Sequence, residues 1–236
     1  MKLDVTEFIE GLDILMHLHK KLTPDVIVRE VMGYPCYLKD LMSPPADDPP
    51  PPPLLSEDNE LLTIDIFLGT YNSANRSIKL FSENIQRAAR LLDCEEEDLE
   101  YVVRFHEHAH ALIHLGVTEA DRWEGLKNGR FAASRLKRLT TIYNQIDPFL
   151  HEHLAQLVTY QVLKKLSEDS EDRIVCKAAG RMLDIFNNLM RRQPREYRVE
   201  PYLEVPLERL RGTIQLIKKE ELAGKVEPWR EIMSWK

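Results

Sequence analysis

The run "SPPADDPPPPP" at residues 43–53 cuts the chain in two. Proline lacks a backbone N–H and fixes φ near −65°, so such a run enters neither helix nor sheet and is expected to be extended or irregular. Any core must therefore be assembled from the pieces on either side. The run reads as a linker or surface loop, with docking to a proline-binding protein partner as its functional alternative. The resulting division is an N-terminal helical segment over 1–42, the Pro-rich linker or loop over 43–55, a core over 56–200, and a C-terminal helix and tail over 201–236.

Before the run, apolar residues at helical spacing (Phe8, Leu12, Leu15, Met16, then Val26, Ile27, Val31) predict two short helices, with Thr23-Pro24-Asp25 as the second start signal. After it, alternation through Leu62, Ile64, Ile66 and Leu68, repeated at Ile78 and Leu80, predicts a β-hairpin with strands near 62–71 and 76–81. Helices are expected from Ser82 and from about 95, the second opened by acids and ended by Gly116. Further helical pieces are expected around 118–126 and 131–145. Asp147-Pro148, a cap followed by proline at the first helical position, starts another. One more spans 171–192 and stops at Gln193-Pro194, "YRVEPYLEV" is irregular, and a last helix begins at "PLERL". The predicted class is α+β, mostly helical, with a small hairpin packed beside the helix that carries "HEHAH".

Composition removes several functions. A net charge of −7 supplies no basic footprint for nucleic acid. Cys36, Cys94 and Cys176 are odd in number and far apart, which fits neither a disulfide framework nor a zinc knuckle. Acids interrupt the first residues where a signal peptide needs an apolar run, and no stretch approaches a membrane span of about 20 apolar residues. A cytoplasmic protein with no membrane partner is the expectation.

"RFHEHAHALIH" carries the chemistry. His106, Glu107 and His110 form H-E-x-x-H, and on a helix residues four apart lie one above the other, so both imidazoles can reach one cation. Glu107 is turned about 100° from His106, where it can take a proton from the metal's water rather than bind the metal. His108 falls on the opposite face and reads as a surface histidine or a supporting one. His114 is eight residues from His106, about 12 Å along the axis, too far to share the ion, and reads as packing. A third ligand must come from elsewhere. The candidate is Glu152 in "LHEHLAQLVTY", with Ala155, Gln156 and Thr159 on its face to let two helices lie close. His151 and His153 are weaker candidates that point away from that face, so at most one of the three serves.

With "FLGTYNSANRSIKLF", the "HEHAH" helix and "HEHLAQLVTY" in this order, residues 60–165 resemble the small gluzincin-type zinc metallopeptidases, the minimal zincin-like proteins. The resemblance implies a metallopeptidase core in which His106, His110 and Glu152 bind one zinc ion per chain. It further implies Glu107 as general base and a peptide or protein substrate added as a strand to the edge near 62–69. An oxyanion donor is then also needed, for which Tyr71, Tyr160, Tyr197, His114 and His153 all remain open. The rival reading is a zinc-binding regulatory or interaction module on the same scaffold, with little turnover.

Overall fold

Fourteen of the 20 residues of the helix Glu96–Leu115 are buried, among them the polar Asp98, Glu107, His110 and His114. Most of the other described elements pack against it. The computed structural model describes residues 5–34, 67–116, 126–127, 130–131, 133–194, 197–199 and 204–218. Their order is α1 (Val5–Lys21), α2 (Pro24–Met32), β1 (Gly69–Asn72), β2 (Ser77–Leu80), α3 (Ser82–Leu92), α4 (Glu96–Leu115), β3 (Leu126–Lys127), β4 (Arg130–Phe131), α5 (Ala133–Gln145), α6 (Pro148–Asp169), α7 (Arg173–Arg192) and α8 (Leu207–Lys218). The fold is mostly helical with small antiparallel sheet, and α4 touches α2, α3, α5, α6, α7 and both strands of the first hairpin. No helix among the described residues is long and apolar enough to cross a membrane.

Fully buried Phe105, Leu99, Leu112 and Leu115 anchor α4, each contributing about 1.5–3 kcal/mol by leaving water. At its start, buried Asp98 accepts a bidentate pair from Arg181 of α7, at 2.7 and 3.1 Å. At its end, the Leu112 carbonyl accepts from the Gly116 amide, and Lys218 of α8 donates to the carbonyls of both Leu112 and Gly116. Gly116 does end α4, yet not through the left-handed conformation expected of a terminal glycine, since its φ is −58°. The reason for glycine is space: a Cβ there would stand 2.5 Å from the Leu112 carbonyl oxygen.

The predicted pair of N-terminal helices is present. Val28, Met32 and Tyr34 join the same apolar cluster as α4 and α6, so α2 is part of the core. In α1 the apolar Leu12, Leu15 and Met16 face outward, and Leu18, with Leu22 just past the helix end, makes the buried contact instead. β1 and β2 pair from Gly69↔Leu80 to Asn72↔Ser77, shorter than the strands expected at 62–71 and 76–81. Residues 62–66 lie outside those described. The turn is held by Asn72, whose Oδ1 accepts from the amides of Ala74 and Asn75. The Pro-rich segment, Cys36, the last residues of the chain and most of the helix expected at 118–126 are likewise outside the described residues. Phe131, expected to be helical, instead pairs with Leu126 in the short β3–β4 ladder, and α5 begins at Ala133.

Candidate metal centre

Two helices bring the site together. On α4 the i,i+4 spacing stacks His106 above His110, with Nε2 atoms 3.0 Å apart. On α6, Asp147 accepts at 3.0 and 3.1 Å from the amides of Phe149 and Leu150, and Pro148 takes the first helical position. That cap fixes the phase of the turn carrying Glu152. Ala155 and Thr159, both fully buried, give α6 the low relief needed to lie against α4.

Glu152 then reaches both imidazoles, Oε2 at 3.3 Å from His106 Nε2 and Oε1 at 3.5 Å from His110 Nε2. These three side chains form the group able to hold a metal ion among the described residues. The triangle can be tested for fit. A tetrahedral ion bonded at about 2.0–2.1 Å requires ligand atoms about 3.3 Å apart. The two nitrogens stand 3.0 Å apart and Glu152 offers a different oxygen to each, at 3.3 and 3.5 Å, all close to that requirement, and a set of three residues leaves a fourth position open. The electrostatics agree with a cation there. Burial works to raise the Glu152 pKa, but His110 and His106 beside it pull the carboxyl well below the usual carboxylate range. For His110 burial opposes the charge and Glu152 overrides it, so the imidazole pKa rises.

A cleft of about 340 Å³ opens over this triangle. One wall is β1 with its approach, Phe67 to Tyr71, and the other comes from Phe149, Gln156, Phe186 and Leu189. Glu107 faces the cleft, 4% exposed, with its pKa raised by burial and partly restored by His110 and His106. A carboxylate shifted upward is a better proton acceptor near neutral pH. It also lies directly against Gly69 of β1, where a Cβ would stand 2.8 Å from both Glu107 Oε1 and Val103 Cγ1. Val103 is stiff and helical, so Glu107 must yield. Gly69→Ala is therefore expected to leave metal stoichiometry intact while moving the carboxylate. A loss of at least about tenfold in any reaction that uses Glu107 as base follows from the need for placement; parallel metal and rate measurements on the variant check it.

The other histidines are not ligands. His114 is 1% exposed and burial lowers its pKa to about 3, so its ring is neutral. Thr140 donates its hydroxyl proton to the Leu136 carbonyl and so accepts from His114 Nε2 at 2.9 Å. His114 Nδ1 is then left to accept from the Tyr71 hydroxyl at 2.8 Å. The packing role expected for His114 holds. His108 is half-buried and donates to the Arg104 carbonyl from Nδ1, a local bond rather than support for the metal. His153 is buried away from the cleft.

His151 differs from expectation. It lines the cleft and stacks on His110, centroids 4.5 Å apart at 17°, although its helical neighbour Glu152 faces the same way. The crossing of α6 over α4 is close enough for two adjacent residues to reach the ligand helix. Among the oxyanion candidates, Tyr71 and Tyr197 line the cleft, while Tyr160, His114 and His153 do not. Tyr143 of α5 was not among them and lines it too. Its hydroxyl has no hydrogen-bond partner among the described residues, and burial, then Tyr71, Glu107 and Glu152, keep it well above the ordinary phenol pKa. Only a solved arrangement of helices exposes this residue, because nothing in "RLTTIYNQI" separates it from a core tyrosine.

Comparison of the chain with protein-family models, with curated proteins and with solved structures gave no match in any of the three.

Proposed function

We propose that this protein is a zinc-dependent metallopeptidase that hydrolyses peptide bonds within a chain. The observation that carries the reading is Glu107: a buried carboxylate held against a strand edge, in the cleft that contains the His106, His110 and Glu152 triangle. A site that served only to hold the fold together would have no use for a base there.

Two imidazoles and one carboxylate with an open fourth position suit zinc, which when bound polarises a carbonyl and acidifies water. The remaining work falls to the chain. Glu107 accepts a proton from the attacking water and passes it to the leaving amine, a sequence that its raised pKa favours in both directions. Tyr143 lines the cleft and keeps its proton, so its hydroxyl, which has no hydrogen-bond partner among the described residues, can donate to the oxygen that gains charge. Among the described residues β1 pairs only with β2, so its second edge can bind an extended peptide by main-chain hydrogen bonds.

Charge limits the substrate. The described residues lining the cleft include no Lys, Arg or Asp, and their two carboxylates are Glu107 and Glu152. Among the described residues neither a chain-terminal carboxylate nor a terminal amine finds a dedicated partner. Phe67, Val102, Phe149, Phe186 and Leu189 favour apolar side chains in the interior of a peptide.

The deciding experiment incubates the zinc-loaded protein with a mixture of unstructured peptides and maps the products by mass spectrometry. Internal cuts that a chelator abolishes and zinc restores are expected. One zinc per chain with no cleavage of any peptide would instead favour the regulatory module. Tyr143→Phe is expected to lower kcat by about 10²-fold, the typical cost of one oxyanion donor, with little change in KM. A kcat within threefold of the parent removes the tyrosine from the mechanism.

A further inference from the structure

His110 lacks the support that a metal-binding histidine ordinarily has. Its Nε2 faces His106 and Glu152, while its Nδ1 is buried with no hydrogen-bond partner among the described residues. A ligating imidazole usually donates its second N–H to a carboxylate or a carbonyl, and that bond fixes the rotation of the ring. Without it the last torsion of a histidine is broad.

Rings supply the restraint instead. His151 lies nearly parallel over His110, 4.5 Å between centroids at 17°. Tyr143 meets His151 edge to face at 4.2 Å and 76°. Tyr143 is held in turn by Tyr71 at 5.8 Å and by His114 at 4.8 Å. His114 is tied at both nitrogens, to Tyr71 and to Thr140, so the far end of the stack is anchored by hydrogen bonds. The near end is not: Nε2 of His151 is itself buried without a hydrogen-bond partner among the described residues.

We infer that His151 is a positioning residue of the metal centre, whose ring orients His110 by stacking in the place of the usual hydrogen bond. The inference rests on the metal reading above. The ring of His151 matters and its nitrogens do not, a distinction that substitutions can separate. His151→Phe keeps a flat ring of similar size, whereas His151→Gln keeps polarity without a ring and His151→Ala removes both.

The test measures zinc affinity by chelator competition, and the visible spectrum with cobalt in place of zinc, on the full chain and these three variants. His151→Phe is expected to stay within threefold of the parent and to retain the strong absorption of tetrahedral cobalt. His151→Gln and His151→Ala are expected to lose at least about tenfold in affinity, the scale of losing a supporting partner, together with that spectrum. Should the Ala variant fail to fold, the Phe and Gln pair decides alone. Phe falling as far as Gln would mean that a nitrogen contact does the orienting, and Gln at parental affinity would mean that nothing need do so; either overturns the inference. A parent chain that takes up no metal overturns the metal reading itself and this inference with it, and the two failures are told apart by that first measurement.

Discussion

Glu107→Gln is expected to lower peptide hydrolysis by about 10²–10⁴-fold while zinc remains at one ion per chain. The substitution is nearly isosteric, and the site has little room for anything else, with Gly69 and Val103 against the side chain. It removes only the capacity to accept a proton. Burial already disfavours the charge of Glu107, so an amide in its place should not destabilise the fold, and thermal unfolding should show an unchanged or higher midpoint. Rate and metal content together make the result interpretable. A variant that keeps its zinc and its rate has no need of Glu107 as a base, and the peptidase reading then fails.

Glu152→Ala is expected to weaken zinc binding by more than the 10–100-fold that loss of a mere supporting partner costs, measured by chelator competition. It deletes two of the three edges of the ligand triangle and leaves an imidazole pair. A second readout needs no metal. Glu152 raises the His110 pKa in the metal-free protein, against burial. Removing the carboxylate leaves burial, which favours the neutral ring, opposed only by Glu107, so the His110 pKa is expected to drop in an NMR titration. Unchanged zinc affinity would show that the carboxylate is not a ligand, whatever the titration does.

The triangle was legible because each part follows from a helical period. Residues four apart share a face, and a capped helix with small residues one and two turns beyond an acid reads as a close-packed neighbour. Tyr143 and His151 were not legible, since their place depends on how α5 and α6 cross α4, and no local pattern encodes a crossing. His151 was set aside on a helical wheel of its own helix, which is sound for one helix and silent about a second one lying close. The short β3–β4 ladder is a different kind of miss. Lys127 and Arg130 pair, and the sequence between them is Asn-Gly, the strongest short-range hairpin signal. Helix-favouring neighbours on both sides outweighed it. At Gly116 the residue type was read correctly for the wrong cause: it is needed for closeness to the Leu112 carbonyl and not for a left-handed turn.

The bond from Lys218 to the end of α4 has a consequence for the order of events during synthesis. Both histidines of the centre are made early, but the lysine that caps the Leu112 and Gly116 carbonyls at the end of their helix is added only about a hundred residues later. α8 also donates from Arg211 to the Val31 carbonyl, so it closes the end of α2 in the same step. A nascent chain stalled before α8 would carry His106 and His110 on a helix still fraying at one end, with Glu152 already present on α6. Metal capture at His106, His110 and Glu152 would then follow the synthesis of α8, and a chain truncated before Leu207 is expected to carry these residues yet bind metal more weakly.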